Sequence, residues 1–112
     1  MHNLSANELN KKFLNKEISA VEIVKNTLDR IEKIDSKVQS FLSVFSEKAL
    51  QVAGEQDERL AKGEKLGKLA GVPIAIKDIL HIKGEITTCG SKFLKNYRAP
   101  FYATAVERLK NE

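Results

Sequence analysis

The chain has 112 residues, enough for one small domain with a modest core, and its 42% hydrophobic and 30% charged residues exclude fibrous and disordered classes. No apolar run approaches the ~18 residues of a membrane span, and the start at Met1 lacks the basic and apolar regions of a secretion signal, so a cytoplasmic protein without a membrane partner is expected. The formal charge of +4 is uneven: residues 1–61 carry 9 basic and 10 acidic side chains, residues 62–112 carry 10 and 5, and the second half is either a solvated face or a surface drawn to nucleic acid.

Helix starts are clearly marked in the first half. Ser5-Ala6-Asn7-Glu8 is a capping box, in which Ser5 and Glu8 each satisfy a backbone N–H, with Leu4 and Leu9 as a hydrophobic staple. The pattern recurs at Ser19-Ala20-Val21-Glu22, stapled by Ile18 and Ile23. Val21, Val24, Leu28 and Ile31 then follow at helical spacing and predict a second helix to about Ile34. The residues between the two starts do not match, so shared capping chemistry explains the similarity better than an internal repeat. Phe41-Leu42-Ser43-Val44-Phe45 is short, aromatic and β-branched, which predicts a strand or extended segment. Ser46 is expected to cap a third helix with Ala49, Val52, Ala53, Gln56 and Leu60 as its buried stripe, Phe45 stapled to Leu50, and an end near Lys62-Gly63.

Residues 67–71 read as a connecting loop. Val72-Pro73-Ile74-Ala75-Ile76 is apolar without alternation, as expected of a strand buried on both faces, with Pro73 confined to its beginning. Residues 77–102 show no helical period and contain Gly84, Gly90 and Pro100, so they predict loop with short extended or helical pieces. Thr104-Ala105-Val106-Glu107 is a further capping box, opening a helix with only ~8 residues left, too few to persist undocked. Such a start is expected where a chain stops inside a larger domain.

For chemistry, Lys77 stands out because it ends the apolar run, where reactive groups of α/β proteins collect. A lysine there is ordinarily a solvated charge. The functional alternative is a desolvated lysine whose neutral amine takes a proton from a serine hydroxyl. Asp78 beside it reads as a loop-holding carboxylate or as an electrostatic partner of Lys77. Thr87, Thr88 and Ser91 suit hydrogen bonding of irregular backbone. His2, His81 and Cys89 lack metal-ligand spacing, and a lone Cys89 permits no internal disulfide and is expected to be a small packed residue rather than a nucleophile.

Three segments together carry a family resemblance: Leu69-Ala70-Gly71-Val72-Pro73-Ile74-Ala75-Ile76-Lys77-Asp78, Thr87-Thr88-Cys89-Gly90-Ser91-Lys92, and Ala103-Thr104-Ala105-Val106-Glu107-Arg108-Leu109. The chain resembles the amidase signature family, and within it the glutamine-hydrolysing subunits of tRNA-dependent amidotransferases. It departs from the common pattern at Ile79-Leu80-His81, where the family often has asparagine and a Cys-Thr pair. The resemblance implies an α/β fold, with residues 1–112 forming the N-terminal part of a single amidase domain. Residues 1–62 would be mainly helical, and residues 63–112 would hold the first strands of a mixed sheet, the catalytic-lysine loop and a helix start. It also implies a Ser-cisSer-Lys triad in which Lys77 is the lysine and both serines lie beyond Glu112, so that these residues alone are inactive. The implied substrate is glutamine, and the implied partners are the B and C subunits and, through them, tRNA. No cofactor is implied for this chain, while ATP and magnesium belong to the partner subunit that amidates Glu-tRNA(Gln) or Asp-tRNA(Asn). A stand-alone amidase of small amides and a small basic interaction module are the other readings.

Overall fold

The computed structural model describes Met1 and residues 3–112; His2 lies outside the described residues. The chain divides into two compact units, Met1–Pro73 and Ile74–Glu112. The first holds three helices, α1 (Ala6–Leu14), α2 (Ala20–Val38) and α3 (Ser46–Ala61), and the second holds a 3-10 turn (Lys92–Leu94) and α4 (Thr104–Asn111).

The capping boxes at Ser5 and Ser19 form as the sequence predicts. The Glu8 N–H donates to Ser5 Oγ at 3.3 Å while the Ser5 N–H donates to the Glu8 carboxylate at 2.7 Å, and Ser19 and Glu22 repeat the exchange at 3.0 and 2.9 Å. Each carboxylate sits below its ordinary range, Glu8 chiefly through the Ser5 hydroxyl and Glu22 chiefly through the Ser19 backbone. The start of α2 has a second anchor that local patterning does not reveal: Asp57 of α3 accepts from the N–H groups of Ala20 at 2.7 Å and Val21 at 3.1 Å. Together with the Ser19 hydroxyl, this satisfies the otherwise orphaned first turn of α2.

The core of this unit is Phe13, Ala20, Ile23, Val24, Ala53 and Ala70, with Leu9, Ile18, Val21, Leu28, Ala49, Leu50, Leu60 and Leu66 packed against it. The turn at residues 67–71 is fastened to it twice. The buried Asn10 side chain donates to the Ala70 carbonyl at 2.8 Å, and the Gly71 N–H donates to Gln56 Oε1 at 2.6 Å. Gly71 has φ +77°, and a Cβ there would meet Phe13 Cδ1 at 2.7 Å.

Several expectations are corrected. The second helix runs four residues beyond Ile34 to Val38, because Gln39 adopts a left-handed cap at φ 54° and the Ser40 N–H is held by the Asp35 side chain at 2.8 Å. The third helix is entered one residue earlier than predicted: Phe45, not Ser46, is the N-cap, and no side chain caps it. In its stripe Ala53 is buried but Val52 is 45% exposed. Likewise Ala103 is the N-cap of α4 and Thr104 its first residue, again with no side-chain cap.

The strands are the largest difference. Residues 41–45 and 72–76 run without helix or ladder, and Ile74 is exposed rather than buried on two faces. A strand exists only where a neighbour accepts its ladder bonds, and none lies beside these segments among the described residues. Ile86 and Arg98 form an isolated antiparallel bridge. Around it the Thr87 N–H donates to the Tyr97 carbonyl at 3.0 Å and the Ala99 N–H to the Glu85 carbonyl at 3.0 Å, tying the loop of the second unit back on itself.

Candidate functional site

Lys77 follows the extended run and opens a tight turn, its carbonyl accepting from the N–H groups of Ile79 at 2.8 Å and Leu80 at 3.0 Å. The residue is exposed rather than desolvated. Its ammonium makes no hydrogen bond or ion pair with the described residues. The location of the amine therefore depends on the backbone that carries it.

That backbone is gripped at the next residue. The Asp78 carboxylate accepts from the Thr88 N–H at 2.8 Å and from the Thr88 hydroxyl, while the Asp78 carbonyl accepts from the Cys89 N–H at 2.9 Å. The Thr88 hydroxyl, followed by the Thr88 N–H, holds this carboxyl below its usual range, with partial burial opposing. The donors come from a turn over residues 88–91, closed by the Ser91 N–H on the Thr88 carbonyl at 2.8 Å. Cys89 at φ 51° and Gly90 at φ 71° give it positive φ at both central positions, the type I′ geometry that glycine, asparagine and aspartate prefer. A non-glycine residue there costs ~1–2 kcal/mol and persists where surrounding bonds determine it. Here the Cys89 and Thr88 N–H groups are both committed to Asp78. The Thr88 hydroxyl also accepts from the Gly90 N–H at 3.1 Å.

The sequence-predicted residues thus separate into two groups. Asp78 and Thr88 meet directly, next to Lys77. Thr87 is buried and contributes its backbone to the pairing with Tyr97, while Ser91 Oγ accepts from the Phe93 N–H at 3.3 Å and caps the 3-10 turn. Cys89 is exposed, not packed as expected. His81, at the departure from the family pattern, lies against the Tyr97 ring at 5.5 Å and the Phe101 ring at 5.1 Å, and its carbonyl accepts from the Ala103 N–H at 3.0 Å. Sequence reasoning misses this aromatic bracket, since its members are up to 20 positions apart and follow no period. Among the described residues no three of His, Cys, Asp and Glu are grouped to hold a metal ion, and no helix is long and apolar enough to cross a membrane.

The sequence profile of the Amidase family matches residues 22–112. The chain is 51% identical over 110 residues to the A subunit of the glutamyl-tRNA(Gln) amidotransferase of Carboxydothermus hydrogenoformans, covering 98% of this chain and 23% of that protein. It is 48% identical over 112 residues to the protein of the same name from Fusobacterium nucleatum, again with 23% of that protein covered. Among solved structures, a bacterial aryl acylamidase of the amidase signature enzymes superposes with a TM-score of 0.91 at 30% identity, over 97% of this chain and 23% of that one. A protein complex described as vestigial, linked to the origins of an s-triazine catabolic enzyme and bound to an inhibitor, superposes with a TM-score of 0.90 at 30% identity, over 96% of this chain and 24% of that one. The chain therefore spans about a quarter of the length of the proteins it matches. With the family profile running through Lys77, the Asp78–Thr88 pair and α4, and with these identities along its whole length, the chain belongs to the amidase family.

Proposed function

We propose that these residues are the N-terminal portion of the glutamine-hydrolysing A subunit of a tRNA-dependent amidotransferase, with Lys77 as its proton relay. The observation that carries this reading is the 51% identity, along nearly the whole chain, to a protein named as the A subunit of a glutamyl-tRNA(Gln) amidotransferase, against 30% to the aryl acylamidase. The difference favours the amidotransferase over a stand-alone hydrolase of small amides.

In this reading a serine beyond Glu112 attacks the side-chain carbonyl of glutamine, and its proton passes through a second, cis-configured serine to the neutral amine of Lys77. Returning the proton to the leaving nitrogen releases ammonia and leaves an acyl-enzyme, which water hydrolyses to glutamate. The exposed Lys77 obtains its desolvation from parts of the full-length domain outside these residues. Ammonia then reaches the partner B and C subunits in a three-subunit cytoplasmic assembly. There a partner subunit that binds ATP and magnesium would activate Glu-tRNA(Gln), or Asp-tRNA(Asn), for amidation. The basic excess of residues 62–112 supports approach to a polyanion without marking a contact site.

Lys77→Arg in the full-length protein tests the role. Arginine keeps the charge but does not surrender a proton near neutrality, so a proton relay is lost where a purely electrostatic role survives. Glutamine hydrolysis by Lys77→Arg and Lys77→Ala is expected to fall by ~10⁴-fold, the scale for one member of a catalytic unit, while externally supplied ammonia still supports tRNA amidation. A Lys77→Arg enzyme keeping more than about a tenth of glutaminase activity refutes the relay.

A further inference from the structure

No hydrogen bond or ion pair with the described residues holds the Lys77 side chain. It is exposed, and no described residue pairs with its ammonium, so a relay that requires a defined amine position must take that definition from the main chain. The residue that follows Lys77, Asp78, is tied to a single turn by three bonds: the Thr88 hydroxyl and the Thr88 N–H donate to its carboxylate, and the Cys89 N–H donates to its carbonyl. Two of the three are backbone donors that any residue at positions 88 and 89 supplies, except proline. The third depends on the side chain of Thr88. The same hydroxyl also receives the Gly90 N–H at 3.1 Å, so it links the carboxylate to the far side of the turn.

We infer that Thr88 is a positioning residue for Lys77, its hydroxyl clamping the Asp78 carboxylate so that the backbone carrying the lysine stays fixed against the 88–91 turn. This rests on the proposed relay role of Lys77. The low-lying titration of Asp78 agrees with it, since an acceptor-only carboxylate is the form that takes both Thr88 donors. Charge-assisted hydrogen bonds of this kind are about twice as strong as neutral ones. A displacement near 1 Å at a reacting group costs up to ~10²-fold in rate, so a clamp on the residue adjoining the lysine has leverage over turnover without touching substrate.

The test uses the full-length protein in its complex with glutamine as substrate and three variants side by side. Thr88→Val removes the hydroxyl at nearly constant shape and is expected to lower kcat for glutamine hydrolysis by ~10–100-fold with KM within about threefold, because positioning acts on the chemical step rather than on binding. Thr88→Ser restores the donor and is expected to recover most of that loss. Ammonia-dependent amidation is expected to stay at the wild-type rate in both, and far-UV circular dichroism of each variant is expected to match wild type, which a general loss of fold would not allow. If Thr88→Val does not yield folded complex, Asp78→Asn takes its place, with a kcat loss of about tenfold expected as charge assistance is withdrawn. A kcat within twofold of wild type in the folded variant overturns the positioning role, as does equal loss in Thr88→Val and Thr88→Ser. Lys77→Ala in the same series separates the two ideas: if it remains active, the relay itself is wrong; if it is inactive while Thr88→Val is not, only the clamp is.

Discussion

Gly71→Ala is the substitution for which the structure sets a cost most directly. The residue has φ +77°, and its new Cβ would lie 2.7 Å from Phe13 Cδ1, 2.7 Å from Cγ and 2.9 Å from Cβ of the same side chain. Phe13 is fully buried, so the ring has no solvent side to swing toward. Two penalties therefore add. Placing a Cβ in the left-handed region costs ~1–2 kcal/mol, and forcing a well-packed core side chain aside costs ~1–3 kcal/mol. The sum of ~2–5 kcal/mol is a large part of the ~5 kcal/mol at the lower end of domain stability. Gly63 supplies the control, because its φ is also +77° but nothing lies within 4 Å of the methyl that alanine would add. Gly63→Ala is expected to show the first penalty alone. Equilibrium urea unfolding of the two variants, followed by far-UV circular dichroism, isolates the steric part as their difference. Adding Phe13→Leu to Gly71→Ala is expected to recover part of it, since the smaller side chain yields the space. Equal destabilisation by Gly63→Ala and Gly71→Ala, or no coupling to Phe13, would show that the close approach does not exist in solution.

Asp57→Ala strips two acceptors from the start of α2 at once, and a loss of ~1.5–3 kcal/mol in urea unfolding is expected, as for bonds to a charged group; a loss below that of an ordinary surface substitution would count against the bond pair. The carboxylates of Glu8, Glu22 and Asp78 all titrate lower in the folded protein than in the unfolded chain. Their contribution is therefore complete above the unfolded values and is lost as pH falls through the folded ones, in the window below about pH 4.5. Comparing urea midpoints at about pH 7 and about pH 3 for wild type and Glu22→Gln tests this: the wild-type advantage should shrink at the acid end, and an advantage unchanged with pH would rule out the carboxylate as its source.

What can be read from sequence follows the range of the interactions. The boxes at Ser5 and Ser19 are legible because donor and acceptor are three residues apart and both belong to one turn. The same motif misleads by one position at Ser46 and Thr104, where a hydroxyl residue occupies the first helical position and the caps, Phe45 and Ala103, carry no capping group. The end of α2 is misplaced because a glutamine, not a glycine, adopts the left-handed cap. The expected strands at 41–45 and 72–76 rest on composition, whereas strand formation rests on a neighbour that local sequence does not contain. At the candidate site, Lys77 and the loop-holding character of Asp78 and Thr88 are legible from residue type. Their pairing across ten positions is not, and neither is the support that α3 gives to α2, whose partners are 37 and 36 residues apart.

That long-range support from Asp57 also sets an order of events during synthesis. A helix of this length relaxes within microseconds once its residues are free, yet translation adds only ~5–20 residues per second. The 37 residues between Ala20 and Asp57 therefore take roughly 2–7 s to append, and for that interval the first turn of α2 lacks two of its acceptors. Ile23, made within the same turns, waits a similar time for Ala53, and Phe13 waits longer still for Ala70 and Gly71. The emerging chain thus passes through a stage with its two largest fully buried side chains uncovered; the arrival of α3 closes the helix end, and the turn at residues 67–71 later covers Phe13.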